Sequence, residues 1–193
     1  MKERPITFTA PEVRAILEGR KTQTRRVVNP QPLKGVCACP YCASGFAHLD
    51  TTAMPDGKHG CSCQEIRKTY GTEGDRLWVR ETHAQALIAD GKASILGFRA
   101  TAGAMWKETK WRPSIHMPRW ASRVTLEITN VRVERLQDIS ETDAISEGTE
   151  GGGAHPDFWV GAFAEAWDAN HKSSHAWETN PWVWGITFKR VMP

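Results

Sequence analysis

A short basic segment directly behind the first predicted helix holds the residues best suited to chemistry. The run from Glu18 to Arg26 contains one lysine, two threonines and three arginines. A lysine among several arginines is destabilised in its charged form, more so if it is partly buried, so Lys21 could accept a proton near neutral pH. Thr24 follows three residues later, and a threonine hydroxyl beside a neutral amine is a known nucleophile arrangement. On residue types alone, a solvated basic strand is the simpler interpretation.

The elements that would position this segment are visible as periodic patterns. Val13, Ile16 and Leu17 fall at helical spacing, and Gly19 is suited to ending that helix. Alternation predicts strands over 5–9, 22–28, 76–81, 94–100, 123–136 and 182–191, and further helices are predicted over 141–147 and 157–169. Because long strands do not alternate regularly with helices, we expect an α+β fold, a small and mainly antiparallel β-barrel with flanking helices.

The chain length and composition limit the choice of architecture and partner. With 193 residues, we expect a single domain over 1–193, in which the Cys-containing stretch 35–74, poor in apolar periodicity, is an insertion. The net charge of +3 permits a nucleotide or nucleic-acid partner without requiring one. Neither a membrane-length apolar run nor the apolar stretch of a signal peptide is present, so we expect a cytoplasmic protein with no membrane partner.

Five cysteines lie within the insertion, in the patterns C-x-C-x-x-C and C-x-C. An odd number of thiols in a reducing compartment argues against a disulfide framework. Two thiol pairs about twenty residues apart can close a tetrahedral zinc site, and such a site would be structural because no position stays open. The preferred ligands are Cys39, Cys42, Cys61 and Cys63, and Cys37 or His59 could replace one of them. Free thiols in a loop are an equally good interpretation.

Gly19, Lys21, Thr24 and Arg26 stand in the pattern G-x-K-x-x-T-x-R. This pattern resembles the signature of the ASCH domain family, whose members have a PUA-like β-barrel. The stretches 74–81, 116–120 and 182–191 are similar to long members of the family that are associated with phages and prophages. The resemblance spans most of the chain outside the insertion, and it implies a PUA-like barrel for the predicted α+β fold.

Some small members of that family are amidohydrolases that remove the acyl group from N(4)-acetylcytidine. The resemblance implies Lys21 as the base and Thr24 as the nucleophile, and it implies Glu147, at the end of a predicted helix, as the acid. Glu81 is the competing acid because it follows a strand that should end near the pocket. A surface carboxylate beside a helix end is the simpler interpretation of Glu147. This mechanism needs no cofactor, so zinc would be peripheral to activity.

Recognition of a pyrimidine requires an aromatic face and hydrogen bonds to the ring edge. Trp78 and Arg80 share one face of a predicted strand and could supply both. Together with Arg26, a candidate oxyanion donor, and Glu81, they form the predicted substrate-binding set. Further candidate tryptophans are Trp120, Trp182 and Trp184. For each tryptophan, packing in the core is the more common role.

The alternative function is an RNA-binding module or a ribonuclease. PUA-like barrels often bind RNA, and some ASCH members are reported as ribonucleases. In that case Lys21 would contact phosphate, and the basic surface would consist of Arg20, Arg25, Arg26, Arg80 and Arg119. The low net charge argues mildly against long RNA. The expected partner is therefore a modified nucleoside or RNA, and an accessory role with another small ligand is a third possibility.

Overall fold

A computed structural model describes residues 1–31, 48–49, 64–65, 70–87, 93–103, 110–149, 158–171 and 173–191. The chain forms two compact units. The first unit comprises residues 1–22, 70–129 and 188–193, and the second comprises residues 23–69 and 130–187. A single domain interrupted by an insertion over 35–74 stays a prediction.

Strands predominate in the described parts of the chain. The helices are α1 (Ala10–Leu17), α2 (Glu141–Ser146) and α3 (Phe158–Asn170). The strands are β1 (Glu3–Thr7), β2 (Gln23–Val27), β3 (His48–Leu49), β4 (Gln64–Glu65), β5 (Arg76–Arg80), β6 (His83–Leu87), β7 (Ala93–Phe98), β8 (Thr125–Arg135) and β9 (Trp182–Val191). Apart from the parallel pair β1–β5, the described pairings are antiparallel. The predicted α+β class with mainly antiparallel sheets is confirmed, and the PUA-like barrel stays a prediction.

The first unit is built on β5, which pairs with β1 on one side and with β8 on the other. Ile6 lies opposite Val79, and Leu77 lies opposite Leu126; all four side chains are buried. Because successive strand residues point to opposite faces, the apolar members of β5 share one face, and Arg76, Trp78 and Arg80 share the other. One face of this sheet is therefore core, and the other carries arginines.

Asp75 fixes the start of β5 against the chain terminus. Its carboxylate accepts hydrogen bonds from the Lys2 amide at 2.7 Å and from the Arg4 guanidinium at 3.1 Å. The Lys2 hydrogen bond is the main cause of a lowered Asp75 pKa, and it outweighs the opposing effect of burial. These contacts set the register in which Glu3 lies opposite Arg76.

The second unit contains β2 paired with β9, with residues 130–135 of β8 beside β9. Ser140 is the N-cap of α2, and its side chain accepts a hydrogen bond from the Asp143 amide at 3.2 Å. Helices α2 and α3 cover an apolar core that consists of Leu136, Ile139, Ala144, Phe163, Trp167 and Val183. None of the helices among the described residues is long and apolar enough to span a membrane.

Candidate functional site

The end of α1 determines where Lys21 lies. Gly19 adopts a φ of 78°, as the predicted C-terminal cap requires. Its amide donates to the Ile16 carbonyl, and the Arg20 amide donates to the Ala15 carbonyl at 2.9 Å. This double hydrogen bond is a Schellman motif. The Lys21 amide also donates to the Ala15 carbonyl, so the chain reverses tightly and Lys21 is held against the helix that precedes it.

The Lys21 side chain is buried in the first unit, with only 2% of its surface exposed. Its Nζ lies 5.8 Å from the centroid of the Phe8 ring and 3.7 Å from Oε1 of Glu12. A buried amine is costly unless charged or polar groups compensate it, and Glu12 supplies that compensation. The role of Lys21 as a base stays a prediction.

Glu12 is a contact of Lys21 that sequence reasoning missed. Its Oε2 accepts hydrogen bonds from the Thr9 amide at 2.7 Å and from the Thr9 hydroxyl at 2.8 Å. These bonds form the reciprocal half of a capping box at the start of α1. The pattern T-x-x-E at Thr9 to Glu12 is the signal that could have predicted the cap. This pattern would not have predicted that the other carboxylate oxygen of Glu12, Oε1, faces Lys21.

Glu81 is also buried in the first unit, at 1% exposure. Arg123 donates two hydrogen bonds to its carboxylate, from Nε at 2.8 Å and from Nη2 at 3.0 Å. Such a bidentate pair stabilises an ionised carboxylate and holds its orientation. Both carboxylate oxygens of Glu81 are therefore already engaged by Arg123.

Lys21 and Glu81 approach the same face of the β1–β5 pair. Thr7 lies opposite Arg80 at the end of that pair, and the Phe8 amide donates to the Arg80 carbonyl at 3.1 Å. Phe8 directly follows β1 and Glu81 directly follows β5, and both side chains are buried. They therefore share the core face, where Lys21 lies over the Phe8 ring.

The predicted substrate-binding pair, Trp78 and Arg80, lies on the opposite face of β5. The Arg80 guanidinium carbon lies 4.7 Å from the Trp78 ring centroid, and that of Arg119 lies at 5.9 Å. Trp78 is only 8% exposed. Since its ring is already covered by guanidinium groups, it offers little surface for stacking on a base. The pair therefore does not lie on the face that Lys21 and Glu81 share.

In the second unit, β2 divides the basic segment between two faces. Thr24 is buried and lies opposite Ile186, and Arg25 is buried and lies opposite Gly185. Alternation places Thr24 and Arg26 on one face of the strand, and Gln23 and Arg25 on the other. The candidate nucleophile and the candidate oxyanion donor are thus together on one face.

Arg25 is the centre of a buried ion cluster. Its side chain has no exposed surface, and its Nη1 donates to Glu147 at 3.1 Å. Its Nη2 donates a hydrogen bond to Asp143 at 3.1 Å. The same Nη2 lies 2.7 Å from Glu134, an ion pair that lacks the alignment of a hydrogen bond. The prediction that Arg25 belongs to an exposed basic surface is therefore wrong. The sequence shows its charge, but not the three carboxylates that enclose it.

Arg132 and Gln23 complete this cluster. Arg132 donates to Glu134 at 2.7 Å and to Asp143 at 2.8 Å, and the Gln23 amide donates to Asp143 at 2.8 Å. Gly185 makes room for these groups: a Cβ built there would lie 3.0 Å from Oε1 of Glu134 and 3.2 Å from Cγ of Arg132. The cluster thus combines two guanidinium groups with three carboxylates.

Glu147, the predicted acid, belongs to this cluster. It is the C-cap residue of α2 and is 8% exposed. Its carboxylate lies with Arg25, which points to the face of β2 opposite Thr24. These contacts give Glu147 a structural role in the ion cluster.

The Asp143 carboxylate makes the cluster sensitive to acid. Burial alone would raise the pKa of Asp143, but the Gln23 hydrogen bond and the charges of Arg132 and Arg25 hold it below its ordinary value. A lowered folded-state pKa stabilises the protein above the unfolded-state value of about 3.9, and the benefit is lost as the pH falls through the folded-state pKa.

We therefore expect Asp143→Asn to be less stable than the natural chain at neutral pH, and the difference to shrink as the pH falls below about 4. Urea unfolding at several pH values measures this difference. Glu178→Gln is the matched control, because it removes an exposed carboxylate that has no ion pair among the described residues. A difference for Asp143→Asn that stays constant down to pH of about 2 would contradict the expectation.

The predicted zinc ligands, Cys39, Cys42, Cys61 and Cys63, lie outside the described residues, as do Cys37 and His59. Within the described ranges, no group of three or more His, Cys, Asp or Glu side chains is placed to hold a metal ion. The zinc site stays a prediction.

No protein-family model matches the chain, and no curated protein matches it. Among solved structures, the chain is similar to an ASCH domain from Lactobacillus crispatus JV V101. The two are 16% identical, the match covers 98% of this chain and 79% of the other, and the TM-score is 0.39. A similarity at this level assigns neither a family nor an activity to the chain.

Proposed function

We propose that the protein is an amidohydrolase that removes the acyl group from N(4)-acetylcytidine or a related modified nucleoside. One observation carries the proposal: Lys21, the predicted base, is a lysine with only 2% of its side chain exposed. A buried amine can exchange a proton with a neighbouring hydroxyl without competition from bulk water. Exposed lysines such as Lys189, at 63%, lack that property.

The nucleophile in this proposal is Thr24, which lies three residues after Lys21 in the sequence. Three residues of chain span at most about 11 Å, so the covalent structure keeps the two residues close. Thr24 is buried, as is expected of a hydroxyl that attacks an acyl carbon where bulk water is excluded. Arg26, on the same face of β2, is the candidate donor to the oxyanion.

The proton transfers can be assigned to Lys21 alone. Lys21 Nζ takes the proton of the Thr24 hydroxyl while Thr24 Oγ1 forms a bond to the acyl carbon. The bond from that carbon to N4 then breaks, and the Lys21 ammonium returns the proton to the departing amine, which releases cytidine. Lys21 next activates a water that hydrolyses the threonine ester to acetate. This assignment is preferred to Glu147, which lies with Arg25 at the face of β2 opposite Thr24, and to Glu81, whose two oxygens both accept hydrogen bonds from Arg123.

The proposal predicts that the purified chain converts N(4)-acetylcytidine to cytidine and acetate. Thr24→Val removes the hydroxyl at nearly constant volume, so it should abolish turnover, whereas Thr24→Ser should retain part of it. Chromatography of the nucleosides measures both. Circular dichroism checks that Thr24→Val is folded. Equal turnover by Thr24→Val and the natural chain would remove Thr24 from the mechanism, and an inactive natural chain would contradict the proposed substrate.

RNA binding remains the second candidate, favoured by Trp120. This indole is 58% exposed and directly follows Arg119, whose side chain is 45% exposed. Exposed aromatic rings beside arginines suit base stacking. An affinity for single-stranded RNA that falls steeply with salt, without acetate release, would support this function over deacylation.

A further inference from the structure

The outer face of the β1–β5–β8 sheet, opposite the core, carries three arginines, Arg76, Arg80 and Arg119. Arg76, Trp78 and Arg80 alternate along β5, and Arg119 covers the same Trp78 ring as Arg80. This face is separate from the core face that holds Lys21 and Glu81. A ligand bound here would therefore not depend on the proposed deacylation.

The three arginines differ in how their charges are compensated. Arg119 donates to Glu3 at 2.9 Å. That hydrogen bond is the main cause of a lowered Glu3 pKa, to which the charge of Arg76 also contributes. Arg76 lies opposite Glu3 on β1 and opposite Glu127 on β8, so carboxylates flank it on both sides.

Arg80 has no carboxylate opposite it on β1, where Thr7 is its partner. Like that of Arg76, its guanidinium makes no hydrogen bond or ion pair among the described residues. Its described contact is the stacking on Trp78 at 4.7 Å, with a second cation, Arg119, over the same ring. Stacking uses the flat face of a guanidinium and leaves the N–H groups in its plane available.

A guanidinium held in this way is suited to an oxyanion. The contact with the indole restricts the side chain, so less of its freedom is lost when two N–H groups meet two oxygens. The half-buried position strengthens the interaction relative to a fully exposed arginine. The nearby charge of Arg119 adds to the attraction, and a buried Nε donor without an acceptor is unfavourable until an acceptor arrives.

We propose that Arg80, stacked on Trp78 and assisted by Arg119, binds a phosphoryl group of the monoester type on the outer face of this sheet. A terminal phosphate has three oxygens and about two negative charges, which suit a planar fork beside a second cation. A phosphodiester in a nucleic-acid backbone offers the same oxygens with one charge, so it is the competing source of the same chemistry.

Calorimetric titration of the full chain tests the site with cytidine 5′-monophosphate, inorganic phosphate, cytidine and the dinucleotide CpC, which has no terminal phosphate. We expect the monophosphate and inorganic phosphate to bind and cytidine not to bind at this site. Arg80→Gln should weaken monophosphate binding by at least about tenfold. Arg80→Lys keeps the charge but loses the planar pair of donors, so its affinity should lie between those of Arg80→Gln and the natural chain.

Arg76→Gln is the matched control. It makes the same substitution on the same face of the same strand, at an arginine that carboxylates already flank, and it should weaken binding by less than about threefold. An equal loss of phosphate affinity in Arg76→Gln and Arg80→Gln would show that the attraction depends on the overall positive charge of this face. That result would overturn the proposed site at Arg80. Failure of the natural chain to bind either phosphate would overturn it too, and binding of CpC but not of the monophosphate would overturn the monoester assignment. None of these outcomes depends on deacylation.

Discussion

Replacing Arg25 by alanine is expected to lower the free energy of unfolding by about 3–5 kcal/mol. The side chain is fully buried, and its removal leaves Glu134, Asp143 and Glu147 with Arg132 as the remaining cation of the cluster. Buried carboxylates that lose their partner keep the full cost of their desolvation, which is why the loss should exceed that of an ordinary ion pair. Urea denaturation at neutral pH measures it.

Arg20→Ala is the control for this prediction. Arg20 pairs with Glu18 at 2.6 Å, but both side chains are largely exposed, so the loss should stay below about 1 kcal/mol. Adding Glu147→Gln to Arg25→Ala should recover part of the lost stability, because the double variant no longer buries a carboxylate that has lost its contact with Arg25. A loss for Arg25→Ala no larger than that for Arg20→Ala would contradict the buried cluster.

Lys21→Met is expected to reduce deacylation of N(4)-acetylcytidine by at least about a hundredfold while the chain stays folded. Methionine fills a similar buried volume and can pack against Phe8, but it cannot exchange a proton. The turnover number, measured at saturating substrate, reports the loss. Lys189→Met removes an exposed lysine that pairs with Glu127 and should leave turnover unchanged. Full activity of Lys21→Met would remove Lys21 as the base.

Glu147→Gln separates the two possible proton donors in that reaction. If the Lys21 ammonium returns the proton, this variant should keep most of its turnover, with any loss explained by lower stability. If Glu147 is the acid, turnover should fall by about a hundredfold at unchanged stability. Glu81→Gln applies the same comparison to the other carboxylate, which Arg123 holds in the first unit. Each variant therefore needs both a rate and an unfolding curve.

Regular elements were predictable where the sequence pattern is strong. β8 and β9 carry long alternation, and both were predicted within two residues of their bounds. β6 was missed because its residues, His83 to Leu87, include no β-branched or aromatic side chain, so no strand propensity marks it. β6 forms because it pairs with β7, and this pairing outweighs the low strand propensity of its residues.

The candidate site was only partly predictable for a different reason. The position of Lys21 directly behind α1 was predictable from a local motif, the helix end at Gly19. The partners of Arg25 lie more than a hundred positions away in the sequence. Ion pairs between such distant residues produce no periodic pattern in a single sequence, so they could not be predicted from it. Glu12 is nearer, yet its contact with Lys21 depends on a chain reversal whose geometry the sequence does not specify.

Gly185 shows how the ion cluster constrains a strand that contributes no charge to it. Any side chain at this position would meet Glu134 and Arg132 where they hold the Arg25 cluster together. Its neighbours in β9, Trp184 and Ile186, pack apolar groups and can be exchanged for residues of similar volume. The residue volume at this one position of β9 is therefore linked to the geometry of the ion cluster, because a larger residue requires Glu134 or Arg132 to shift by a few tenths of an ångström.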